Sequence, residues 1–309
     1  MTVNIDVTLR DGGYRNNFDF PLEYVLKHAR LSTEAGFDWV EVCYRNGSFA
    51  PQPGIGRTGR GEDALIAAVA REIGPEHTAV ILHPKNITET DLPAMYRAGA
   101  RLVRIILPAQ GYQAGLEYVR QAKETGYTVG VNFTRVSQLN ARDIAQAAIA
   151  AVDAGADVHY LADSNGSLHP AEVTELVTLV GSVTGTAVGL HAHNNLGLAL
   201  SNAIAASDSG ATWMDSAVQG MGKGPGNLIA EQWLAHQEQT GPERDGRLRL
   251  GPALELAHLL LENIPESTPS LPLPDLLLGQ YDLSVEHRTS LVGQPRKDIE
   301  TARELARTR

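Results

Sequence analysis

TVGVNFT (residues 128–134), DVHYLAD (157–163) and AVGLHAHN (187–194) are three successive β-rich runs, each followed by a helix-like stretch. They are largely apolar rather than strictly alternating, as expected of strands buried on both faces of a parallel sheet. The same unit recurs on either side. NIDVTL (from Asn4), DWVEVCY (from Asp38), TAVILH (from Thr78) and LVRIILP (from Leu102) precede them, and ATWMDSAV (from Ala211) follows. The starts lie roughly 25–40 residues apart, the size of one β–α unit.

The segments between the runs, such as ALIAAVAREIG, QAAIAAVDAGA and LALSNAIAASDSGA, carry apolar residues at helical spacing. Gly36, Gly99, Gly155 and Gly210 fit helix C-caps, and Pro21, Pro93 and Pro170 fall near helix starts. Eight such units predict an α/β fold, a closed (β/α)8 TIM barrel. An open doubly wound sheet would want G-x-G-x-x-G after its first strand, and RDGGYRNN stands there instead. The barrel is expected over residues 1–240, with a short helical C-terminal extension over 241–309. That extension opens in the polar EQTGPERDGRLRLGP and holds an apolar helix (from Ala253), a proline-rich stretch and a charged terminal helix. It can cover the barrel, mediate assembly or close over a site.

Composition narrows the partners. Of 309 residues, 26 are Lys or Arg and 36 are Asp or Glu, a net charge of −10. Nucleic acid and anionic membrane are poor partners for such a chain, whereas a small anion in a local basic pocket is not. The lone Cys43 excludes an intrachain disulfide and a cysteine zinc cluster. Neither a signal peptide nor an apolar run of about 18 residues is present. A soluble cytoplasmic protein is the expectation.

Barrel chemistry sits at the C-terminal ends of strands. Strand 7 ends in His191-Ala192-His193, whose imidazoles share a side because strand residues alternate. Strand 1 ends in Arg10-Asp11-Gly12-Gly13, so Asp11 lies on the same rim. Two histidines and one carboxylate with open positions make a catalytic divalent-metal site. Arg10 faces away from that site unless the backbone bends at Asp11-Gly12. Glu41, on the neighbouring strand 2, can fix the Arg10 guanidinium, or the two can form a purely structural pair.

After strand 8, GMGKGPGN (220–227) leads into a helix. Gly222 and Gly224 there allow close approach of a substrate anion to a helix N-terminus, or simply make a tight turn. Asp163 ends strand 6 in DSNG, either as a partner for a metal-bound histidine or as turn chemistry. His83, Arg104, Asn132 and Asp215 can also face the mouth, and each is open to a structural role. No strand run holds a lysine for a Schiff base, and Lys85 and Lys223 are in loops.

VTLRDGG (Arg10, Asp11), VEV (Glu41), LHAHNNLG (His191, His193) and GMGKGPGN (Asn227) together resemble the DRE-TIM metallolyase family. This group contains isopropylmalate and homocitrate synthases, hydroxymethylglutaryl-CoA lyase and 4-hydroxy-2-oxoacid aldolases. The resemblance covers roughly residues 4–236 and looks closest to the aldolases, since ADSNG resembles their strand-6 motif. It implies that Asp11, His191 and His193 hold Mg²⁺ or Mn²⁺, with Asn227 joining the metal shell. It implies that Arg10 stabilises an enolate while Glu41 orients it. Asn132, Asp163, Gly222 and Gly224 are the expected substrate contacts. The implied reaction is class II aldol cleavage of a 4-hydroxy-2-oxo acid to pyruvate, or a related 2-oxo acid, and an aldehyde, or the reverse condensation. The alternative is a Claisen-type condensation of an acyl-CoA with a 2-oxo acid. Tyr14 replaces the histidine base of the aldolases, so Tyr14 or His83 is expected to relay the proton. The resemblance and the apolar tail together imply a homodimer.

Overall fold

Eight parallel strands close on themselves in sequence order, β1-β2-β3-β4-β5-β6-β7-β8, in a computed structural model that describes residues 2–48, 54–108, 111–240 and 248–308. They are β1 Val3–Asp6, β2 Trp39–Arg45, β3 Thr78–Leu82, β4 Leu102–Pro108, β5 Thr128–Thr134, β6 Val158–Asp163, β7 Ala187–Ala192 and β8 Trp213–Ser216. The helices wrapped around them are α1 Leu22–Ala35, α2 Arg57–Arg60, α3 Asp63–Ile73, α4 Asp91–Ala98, α5 Gln113–Thr125, α6 Ala141–Asp153, α7 Pro170–Thr184, α8 Ala199–Asp208 and α9 Ala230–Thr240. Beyond them lie α10 Leu250–Asn263, α11 Leu273–Gln280 and α12 Pro295–Arg307. Among the described residues, no helix is long and apolar enough to cross a membrane.

Outward-facing strand residues such as Val40, Val103, Val131 and Leu161 pack with the helices into one large core. Inward-facing residues stack in layers, as barrel interiors do. The lower layer is apolar, with Ile5, Leu102 and Val158 against Trp39, Ala187 and Trp213. The middle layer is charged: Glu41, Arg104 and Asp215 meet there around Tyr160. Two glycines make room for it. A Cβ at Gly189 would sit 2.6 Å from the Tyr160 ring, and one at Gly130 would sit 3.2 Å from Cγ of Arg104.

Two local irregularities aim side chains at the mouth. The register of β2 against β3 slips between Glu41 and Cys43. Such a bulge changes which residues face inward. It sends Cys43 outward into the helix-facing core and Tyr44 inward beside Ile81 and Ile106. Strand β1 stops at Asp6, short of the NIDVTL run. Oδ1 of Asp6 accepts bonds from both the backbone and the hydroxyl of Thr8, and the Asp11 N–H donates to the Val7 carbonyl at 2.8 Å. The chain therefore turns before Asp11, not at Asp11-Gly12, and Arg10 and Asp11 both enter the mouth.

The tail crosses that mouth. The Asp282 carboxylate accepts bonds from Ser137, Asn165 and Ser167 at 2.7–2.9 Å, fixing the tail to the loops after β5 and β6. Asn195 donates to the Asp275 carbonyl at 2.8 Å, and Arg15 to the Thr268 carbonyl at 2.8 Å. Helix α10 instead packs on α1 at the side of the barrel, with Leu256 and Leu260 in the main core.

Candidate active site

A cavity of about 360 Å³ opens at the C-terminal ends of the strands. Its floor is formed by Arg10, Asp11, His191 and His193, none more than 7% exposed. One ligand atom from each of Asp11, His191 and His193 lies within 4.8 Å of the other two. The two imidazole rings stand 5.1 Å apart at 90°. The two histidines at the end of strand 7 and the Asp11 carboxylate, read onto one rim from the sequence, are brought together.

His191 and Asp11 are each held from behind. His191 Nδ1 meets Asp215 Oδ2 at 2.9 Å, which leaves Nε2 for a metal. Asp215 is held by Arg104 at 2.6 Å, Arg104 reaches Glu41 at 3.1 Å, and Glu41 accepts from Arg10 Nε at 2.5 Å. Arg10 Nη1 then donates to Asp11 Oδ1 at 2.7 Å. The chain of contacts thus runs from His191 to Asp11 through the barrel interior. The histidine partner is Asp215 and not Asp163, which accepts from the backbone N–H groups of Ser167 and Leu168 at 3.1 Å. Asp163 is turn chemistry and does not line the cavity. Burial raises its carboxyl to about 6, against the lowering effect of those amide bonds.

The residues fit a divalent cation. Three buried carboxylates, Asp11, Glu41 and Asp215, face two buried cations, Arg10 and Arg104, an excess of one negative charge. Burial works to raise the Asp11 carboxyl, but Arg10 and then His193 hold it well below the usual carboxylate range. Burial lowers His193 to about 4, so its imidazole is neutral and able to ligate. Buried polar atoms without a hydrogen-bond partner include Arg10 Nη2 at the floor, Asp215 Oδ1 behind His191, and the carbonyl oxygen of Asn227, which does not itself line this cavity. Asn227 is bonded through its Nδ2 to Asp11 Oδ2 at 2.8 Å, so its unused acceptor adjoins the triad.

The glycine-rich loop sets Asn227 in place. Its backbone pairs with the end of β7, Asn194 donating to Gly226 and Leu228 to Ala192. A Cβ at Gly222 would strike the Asn227 amide at 2.5 Å. Neither Gly222 nor Gly224 lines the main cavity. At the start of α9, the Ala230 N–H donates to the Ala217 carbonyl, and the Glu231 carboxylate accepts from Gln219. Lys223, between the glycines, lines the cavity, and its N–H donates to Asp11 at 3.2 Å.

Above the floor, Asn132 lines the cavity and accepts from Arg104 Nε at 3.2 Å. The Tyr14 hydroxyl donates to Ser48 at 2.8 Å and lies 3.3 Å from the Tyr44 hydroxyl. Burial, then Tyr44, pushes the Tyr14 phenol well above its usual range, so it holds its proton and is no base at neutral pH. His83 is not brought to the site. It caps the turn Pro84–Asn86, accepting from the Lys85 N–H at 3.3 Å. Sequence reasoning missed Tyr44, Ser48, Arg135, Ser164 and Glu286, all of which line the cavity. Arg135 and Ser164 directly follow the ends of β5 and β6, so the strand-end rule was able to find them. Glu286 arrives from the tail and had no such signal.

Known proteins share this architecture. The curated 4-hydroxy-2-oxovalerate aldolase of Pelotomaculum thermopropionicum is 34% identical over 238 residues, 77% of this chain and 70% of that protein. The protein of that name from Geobacillus thermodenitrificans is 30% identical over 303 residues, 95% of this chain and 87% of its own length. The crystal structure of an N-terminal domain from Bacteroides vulgatus superposes with a TM-score of 0.84 at 27% identity, covering 97% of this chain and 99% of that one. The HMG-CoA lyase of Bacillus subtilis shares the fold, with a TM-score of 0.74 at 18% identity over 89% of this chain and 96% of that one. The HMGL-like family model matches residues 3–259, a span that includes every residue of the proposed metal set, and the chain belongs to that DRE-TIM family.

Proposed function

We propose that this protein is a class II aldolase that joins pyruvate, or a related 2-oxo acid, to an aldehyde, or cleaves the corresponding 4-hydroxy-2-oxo acid. The observation that carries it is the buried Asp11, His191 and His193 triad sharing a cavity floor with the unpartnered Nη2 of Arg10. Asp11, His191, His193 and the Asn227 carbonyl would hold Mn²⁺ or Mg²⁺. Such an ion supplies Lewis acidity toward the keto oxygen of a 2-oxo acid.

The protein's own groups do the rest. Arg10 offers its spare N–H to the negative charge of the enolate, and Glu41 and Asp11 keep the guanidinium from rotating away. Asp215 fixes the His191 ring so that Nε2 faces the site. Tyr14 lines the cavity and would pass its proton to the aldehyde oxygen as the carbon–carbon bond forms, taking it back by the same path in cleavage. Names borne by relatives at 30–34% identity support the same chemistry.

With pyruvate, an aldehyde and Mn²⁺, the purified protein should produce a 4-hydroxy-2-oxo acid with no need for coenzyme A. Free thiol released from acetyl-CoA in the presence of a 2-oxo acid would establish the Claisen alternative instead. Neither product, with either metal, would overturn both.

A further inference from the structure

The cavity has more positive charge at its rim than a 2-oxo acid requires. The carboxylate and keto group of such an acid are served at the floor, by Arg10 and the metal triad. Two further cations, Arg135 and Lys223, line the same cavity, as does Glu286. Arg135 directly follows β5 and holds φ 58°, ψ 41°, a left-handed backbone that a non-glycine residue adopts at a cost. Its N–H is secured by Ser164 Oγ at 3.0 Å. Strain of this kind concentrates at functional positions. Here it turns the Arg135 side chain over the mouth.

The guanidinium Nη2 lies 2.6 Å from Glu286 Oε1, and the two side chains are 43% and 63% exposed. An ion pair so open to water holds little energy and exchanges readily. A ligand anion can therefore replace Glu286 on Arg135. The Lys223 ammonium sits 5.6 Å from the centre of the Tyr14 ring, on the same side of the cavity as the proposed donor to the aldehyde oxygen. The volume of about 360 Å³ accommodates a three-carbon acid together with a short second partner.

We propose that the aldehyde partner carries an anionic group of its own, carboxylate or phosphate, and that Arg135 with Lys223 reads it in exchange for Glu286. This rests on the aldolase reading above and narrows its substrate class. No covalent step is added.

The test uses the Mn²⁺-loaded enzyme with pyruvate and three aldehydes: butanal, succinic semialdehyde and glycolaldehyde phosphate. The expected result is a kcat/KM higher by about tenfold or more for a charged aldehyde than for butanal. Whichever charged partner leads separates carboxylate from phosphate. Arg135→Gln should bring that preference close to unity, chiefly through KM, and Arg135→Lys should restore part of it. Glu286→Gln, which removes the competing carboxylate, should lower KM for the charged aldehyde. A merely structural pair would not produce that gain, and the variant keeps the test open if the Arg135 changes impair folding. Equal kcat/KM for all three aldehydes, or a preference that survives Arg135→Gln, would overturn the proposal. Deuterium exchange into the pyruvate methyl group, run alongside on the unaltered enzyme, separates the two failures. Exchange without charge preference removes only this inference; no exchange and no product remove the aldolase reading and this inference with it.

Discussion

The floor and the rim of the cavity are both lined by charged residues, yet they are built on opposite terms. At the floor and in the layer beneath it, Arg10, Glu41, Arg104, Asp215 and His191 come from the strands or the turn after β1, and each is bonded to the next out of reach of water. At the rim, Arg135 and Glu286 come from a loop and the tail and meet in solvent. Removing a partner from a buried charge leaves the other stranded, whereas an exposed pair is screened and worth about 0–1 kcal/mol. The floor is therefore a fixed instrument suited to one chemistry, and the rim is an adjustable surface suited to choosing a partner.

The sharpest way to break the contrast is at its buried centre. Arg104→Met should cost about 3–5 kcal/mol of stability, because Glu41 and Asp215 lose the cation between them. Urea unfolding of the metal-free protein measures it, and a loss below about 1 kcal/mol would mean that the network is not the anchor described. Asp215→Asn comes next. It should weaken Mn²⁺ binding by roughly 10–100-fold in calorimetry, since His191 loses its orienting carboxylate, and cost less stability than Arg104→Met, because Arg104 keeps Glu41.

Asp163 gives a pH signature away from both regions. Its folded pKa of about 6 lies above the ordinary 3.8, so between those values the folded state holds the proton and the unfolded state does not. Stability from this group is full at low pH and falls as pH rises through about 4 to 6, by on the order of 1–3 kcal/mol. In Asp163→Asn, unfolding midpoints at pH 4, 5, 6 and 7 should lose that slope. An unchanged slope would assign it elsewhere. The smallest effect belongs to the rim: Glu286→Gln should move stability by about 0.5 kcal/mol or less. A larger shift would show that the tail is clamped through this pair and not through Asp282.

How much of this was legible in the chain follows from the range of each contact. The barrel was readable because every strand is an apolar run sized for burial on both faces. The ends of the runs were not, since Asp6 and Thr8 stop β1 through local side-chain bonds that compete with the ladder. The His191 and His193 pair followed from strand alternation alone. Which carboxylate stands behind His191 did not, because Asp163 and Asp215 lie on the two strands flanking β7 and only the barrel's stagger selects one. The bulge in β2 that turns Tyr44 inward has no local sequence mark. The tail's contribution rests on contacts between residues more than a hundred positions apart, such as Asp282 with Asn165 and Ser167, which periodicity cannot reveal.

On the proposed function, Asp11, His191 and His193 together make an enolate-forming metal site. Deuterium exchange into the methyl group of pyruvate, followed by NMR with and without Mn²⁺ in the unaltered protein and in His191→Ala, is the decisive test. The expected result is exchange that requires the metal and falls by about 10³-fold or more in the variant, the loss of several kcal/mol of charge stabilisation. Exchange that proceeds equally without metal, or survives His191→Ala, would contradict it.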